Sequence, residues 1–165
     1  MVPQSIDGQL ILDQPGGEFH SVTWFTLPHA LPVIGASAVD VEIAADLEAA
    51  RAHSRDNLRS YWVGSVVHGI RAALAGRPPN TSLEHPGTLV WVVLGAPRLA
   101  MFLDPQAAYA GPVPTKSEAG WWVVSHRREY ADLARRAVAA RAGANSAFTV
   151  ADALSAANLV DSLVS

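Results

Sequence analysis

Residues 88–103 read TLVWVVLGAPRLAMFL, and this stretch decides the architecture. Its apolar side chains fall on every side of a helix rather than along one stripe, with Arg98 the single charge, which is the pattern of a helix enclosed by others. Pro97 removes one backbone donor and is expected to kink it. A helix that is apolar nearly all round needs neighbours on each face, and the flanking sequence provides them.

Upstream, residues 45–75 carry Leu47, Leu58, Tyr61, Trp62, Val66, Ile70 and Leu74 at helical spacing. This predicts a long amphipathic helix, broken near Gly64 and ended by Gly76. A polar, proline-rich loop follows at residues 77–87. Downstream, Thr115 and Glu118 have the spacing of a capping box, so a helix should start at Lys116 and carry Trp121 and Trp122. Another is expected over residues 129–142, with Tyr130, Leu133, Ala137 and Ala140 on one side and Gly143 as its stop. Thr149 opens a last helix through Leu154, Leu159, Val160 and Leu163. The expected fold is mainly α, a bundle of about five helices.

The first part of the chain has a different texture. Residues 9–12 and 19–22 are extended candidates around the turn Pro15-Gly16-Gly17, and residues 39–43 alternate apolar and acidic side chains. Strands this few cannot close a sheet of their own. The N-terminal segment, residues 1–44, therefore reads as part of something larger or as an appendage to a helical body, residues 45–165.

Bulk properties narrow the function classes. Half of the 165 residues are apolar and the formal charge is −3, with the cations dispersed, so no electrostatic footprint for nucleic acid or anionic lipid is visible. The chain has no cysteine, which excludes disulfides and thiolate metal sites. Residues 1–12 lack a basic segment followed by an apolar one, and the apolar run 89–103 is short for a bilayer and contains Arg98. A cytoplasmic protein with a small-molecule or protein partner, and with neither nucleic acid nor membrane as partner, is the expectation. Arginine supplies eleven of the twelve cations and Lys116 is the only lysine. A lone lysine points to a place where a compact ammonium is wanted.

Several motifs fail on context. Gly64-Ser65-Val66-Val67-His68-Gly69 matches a glycine-serine phosphate loop, but it falls within a predicted helix and no Asp-x-Asp follows it. Asp40 and Glu42 share one face of a strand yet lie before that pattern, so a solvated strand face is the better reading. Gly35-Ala36-Ser37-Ala38 lacks the second glycine of a nucleophile elbow. None of the six histidines has metal-ligand spacing. No catalytic residue and no metal site is assigned.

Five pieces in order carry a resemblance: VTWFTL at residues 22–27, DNLRSYW at 56–62, WVVLGAPRL at 91–99, the loop 111–115 leading into KSEAGW at 116–121, and residues 137–141. Together they resemble the C-terminal helical domain of aminoglycoside 3''-adenylyltransferases, the streptomycin and spectinomycin resistance family of nucleotidyltransferases. The matching pattern is a helix with Leu-Gly-x-x-Arg, a short loop, and a Ser/Thr-Lys-x-x-Ala-x-x-Trp helix start.

The resemblance implies that Arg98 and Lys116 reach the phosphates of ATP, that Trp62 covers a sugar ring of the drug, and that Glu84 and His85 meet its cationic groups. It implies AMP transfer to a drug hydroxyl. The family's glycine-serine loop, paired aspartates and general base are not found in this sequence, so ATP and Mg²⁺ chemistry is expected only together with an intact catalytic domain. The resemblance further implies that residues 1–44 are a strand-containing remnant of the α/β nucleotidyltransferase domain with its linker, that a separately encoded catalytic half would supply what is missing, and that apolar surface left by the lost domain would favour self-association. The other expectation is a non-catalytic relic or protein-interaction module.

Overall fold

The computed structural model describes residues 4–6, 9–11, 21–26 and 46–164. The turn at Pro15-Gly16-Gly17, Asp40 with Glu42, and the alternating residues 39–43 lie outside the described residues. Backbone contacts divide the chain into two units, residues 1–53 and 54–165.

In the first unit, β1 (Gln4–Ile6) and β2 (Gln9–Ile11) pair antiparallel with Gln4 opposite Ile11. α1 (Ser21–Thr26) corrects the extended reading of residues 19–22: Val22 is helical, and the Thr26 hydroxyl donates to the Thr23 carbonyl at 2.9 Å. A three-residue hairpin arm is not the sheet of an α/β domain, so no such remnant is established among the described residues. α2 (Leu47–Asn57) begins here, with the Asp46 carboxylate accepting the Ala49 amide at 2.9 Å as an N-terminal cap.

The second unit is the helical body. Beyond Asn57 the helix is not broken at Gly64; it widens into a π-helical segment, Leu58–Val67, and narrows again as α3 (His68–Leu74). The buried residues of the wide segment are Leu58, Trp62 and Val67, a spacing looser than the α period. Ending the rod, Gly76 takes the left-handed φ of +75° that a side chain would strain. The pseudo-motif at residues 64–69 therefore lies inside a helical rod, where it cannot form a strand-to-helix phosphate loop.

α4 (Pro86–Leu103) starts with proline at its first position and runs through the buried Pro97 to Leu103. Its length and apolarity would suit a membrane span, but half of it is buried within the protein, as befits a core helix. It packs against the π-helical segment, α5 (Lys116–His126), α6 (Ala131–Arg141) and α7 (Val150–Ser162). Two glycines bring helices into near contact. A Cβ on Gly95 would stand 2.7 Å from the Trp62 indole, and one on Gly120 would stand 2.3 Å from Val138 and 2.8 Å from Leu94.

The predicted capping box at Thr115 is present: its hydroxyl accepts the Glu118 amide at 3.2 Å, and the Glu118 carboxylate accepts the Thr115 amide at 2.7 Å. A second box, Thr149 with Asp152, opens α7. The loop after α3 is tied to that same corner, with the Leu83 amide donating to Phe148 at 2.8 Å and the Val150 amide to Thr81 at 2.9 Å. Arg136 of α6 binds the Asp152 carboxylate through both terminal nitrogens and lies 5.1 Å over the Phe148 ring. Gly143, at φ +97°, ends α6 as the sequence predicts.

Candidate anion-binding site

Leu94 of α4, Gly120 of α5 and Val138 of α6 meet where the absent Gly120 side chain lets three helices close. One helical turn from each contact residue stands a cation: Arg98 four residues after Leu94, Lys116 four before Gly120, and Arg141 three after Val138. Residues so spaced lie on the same helix faces as the contact residues.

The charges feel one another. Burial, then the Arg141 charge, lowers the Arg98 guanidinium from its ordinary value. Burial, then Arg141 and Arg98, likewise lowers the Lys116 ammonium. Among the described residues, none of the three forms an ion pair with a carboxylate. Arg98 spends its Nε on the Pro114 carbonyl at 2.6 Å, which anchors the guanidinium beside the turn into α5.

Glu118, the carboxylate nearest Lys116 in sequence, is engaged elsewhere. It accepts the Ala110 amide at 3.0 Å besides capping α5, and these bonds, that to Ala110 first, hold its pKa below the usual range. Residues 104–110, between Arg98 and Lys116, are thereby fastened to the start of α5. At their other end Asp104 accepts the Trp122 indole N–H at 3.2 Å and the Gln106 amide at 2.9 Å.

The remaining expected site residues separate. Glu84 and His85 are exposed on the rim of an open trough of about 300 Å³, floored by Ile70, Leu74, Leu83, Leu89 and Val92. Trp62 does not line that trough. Only 5 % exposed, it packs on Gly95 with its ring centroid 4.4 Å from that of Trp91. One side of the indole is thus taken up by Gly95 and Trp91 of α4. Tyr61, edge-on to Trp62, is the exposed ring of the cluster.

Thus the structure brings Arg98 and Lys116 together, keeps Glu84 beside His85, and sets Trp62 in the core. Arg141 was not among the sequence candidates. In sequence it reads as an ordinary cation in the last turn of a helix, where the dipole favours one, and only the packing of α6 on α4 and α5 reveals its neighbours. No group of three or more histidine, aspartate or glutamate side chains fit for a metal occurs among the described residues. Compared with family models, curated proteins and solved structures, the chain matches none.

Proposed function

We propose that the chain is the C-terminal portion of an aminoglycoside adenylyltransferase-like protein, in which Arg98 and Lys116 hold the phosphates of ATP during AMP transfer to a drug hydroxyl. The observation that carries this reading is their convergence, from separate helices, in a cationic patch without a carboxylate partner among the described residues. Like charges held together are costly unless an anion offsets them, and such groups gather at functional sites.

In the reaction, the drug hydroxyl attacks the α-phosphorus, its proton passes to a general base, and the bond to pyrophosphate breaks. Negative charge grows on the leaving pyrophosphate, where fixed cations lower the barrier. The base and the Mg²⁺ ligands belong to a catalytic half in this reading. Glu84 and His85 remain the groups proposed to meet the drug, and their exposed side chains suit contact with an ammonium group. A cytoplasmic setting, where ATP is abundant, goes with the proposal.

Calorimetric titration of the purified chain with ATP, streptomycin and spectinomycin tests it. ATP binding weakened by Lys116→Gln, and drug binding weakened by Glu84→Gln, are the expected results. A folded chain that binds none of the three would overturn the proposal and leave the non-catalytic interaction module.

A further inference from the structure

We infer that the trough between α3, α4 and α7 binds a free amino acid with a large apolar side chain, its carboxylate held by Arg77 and its ammonium by Glu84. Neither the cationic patch nor a nucleotide enters, so the site stands apart from the adenylyltransferase reading and gives Glu84 a partner of another class.

Ile70, Ala73 and Leu74 of α3, Leu89 and Val92 of α4, and Ala153 of α7 line a concave space of about 300 Å³. The loop that supplies the rest of the lining is fastened to the start of α7. Its Leu83 amide donates to Phe148 at 2.8 Å, and its Thr81 and Pro79 carbonyls accept the Val150 and Ala151 amides, each at 2.9 Å. Held there, the loop does not fold down to fill the gap, and the trough stands open before any ligand arrives. A preformed concave space with an apolar lining and a few polar groups is the usual form of a small-molecule site. An apolar side chain suits this floor, since seating it there removes both surfaces from water.

The charges lie on the rim. Arg77 and Glu84 both border the trough and both are exposed. Although opposite in sign, they form no ion pair with each other or with any other group among the described residues. A ligand with a carboxylate alone would face Glu84, and one with an amine alone would face Arg77, each at a repulsive cost. An amino acid carries both groups on one carbon and meets each with its opposite. A peptide offers neither charge along its interior and only one at each end, so the free amino acid fits best. His85 and Thr88 add hydrogen-bonding groups to the same rim.

Calorimetric titration of the chain with L-phenylalanine, L-leucine and glycine tests this, beside N-acetylphenylalanine, which lacks the ammonium, and phenylalaninamide, which lacks the carboxylate. Phenylalanine and leucine should bind and glycine should not, and each blocked form should bind about tenfold more weakly than phenylalanine. Arg77→Gln should weaken phenylalanine about tenfold yet leave phenylalaninamide unchanged, and Glu84→Gln should do likewise with the acetylated form, a matched pattern that a loosened fold would not produce. Ala73→Trp, at an exposed position of α3, should fill the trough and abolish binding while circular dichroism shows the fold retained. A folded wild-type chain that binds neither phenylalanine nor leucine would overturn the inference, as would blocked forms that bind as tightly as phenylalanine or an Ala73→Trp chain that still binds. Streptomycin bound through Glu84 without amino-acid binding would overturn it and leave the drug reading standing; amino-acid binding without streptomycin binding would do the reverse.

Discussion

Gly120 shows how one residue sets the distance between helices. With a Cβ it would press within 2.3 Å of Val138 on α6 and 2.8 Å of the buried Leu94 on α4. Overpacking of this kind costs about 1–3 kcal/mol, and the better helix propensity of alanine returns about 1 kcal/mol. Gly120→Ala should thus lower stability by up to about 2 kcal/mol in denaturant unfolding and weaken anion binding as Lys116 shifts. Trp62→Ala removes a buried ring and should cost about 3–5 kcal/mol. Drug affinity lost in that variant therefore reports folding as much as contact, and Glu84→Gln is the cleaner probe. Neither glycine announces its role in the sequence: Gly95 and Gly120 look like weak points in helices until the partner helix is seen.

Single elements were legible where the signal is local. The capping box at Thr115 places the start of α5, and Gly76 and Gly143 mark two helix ends, because each rests on backbone geometry within four residues. The box at Thr149 escapes the same reading, since Asp152 replaces the usual glutamate or glutamine at its third position. The π-helical segment escapes too; its looser turn brings Leu58, Trp62 and Val67 into the core, and the Gly64 within it suggests a break that does not occur.

The start of α7 has a pH signature. Burial alone would raise the Asp152 carboxyl, but hydrogen bonds from Arg136 and Thr149 outweigh burial and hold it below the usual range. With its folded pKa depressed, its contribution is complete above the unfolded value, about 3.9, and is lost as the pH falls through the lower folded value. Asp152→Asn should be less stable near neutrality and show a flatter loss of stability on acidification, measured by thermal melts across the acid range.

At the scale of the whole molecule, the mainly helical class follows from one enclosed helix and its amphipathic neighbours, all readable from apolar spacing. The candidate site was legible only in part. Resemblance singles out Arg98 and Lys116, but their convergence with Arg141 depends on how three helices pack, and no local pattern encodes that. Trp62 sits where an amphipathic stripe would put it, in the core.

A patch assembled for ligand should be indifferent or adverse to stability without one. Lys116→Gln removes repulsion and an unfavourable dipole interaction, so its melting temperature should equal or exceed that of wild type in phosphate-free buffer, by an amount corresponding to about 0.3–1 kcal/mol. Added ATP should stabilise the wild type and not the variant.

The most direct measurement is nitrogen–proton NMR of the chain during titration with ATP, following the backbone amides of Lys116 and Ser117 and the Nε–H groups of Arg98 and Arg141. These resonances should shift first and saturate together. Shifts confined to the trough at Leu83 and Leu89, or an unchanged spectrum at saturating ATP, would contradict the assignment of this three-helix junction as a phosphate site.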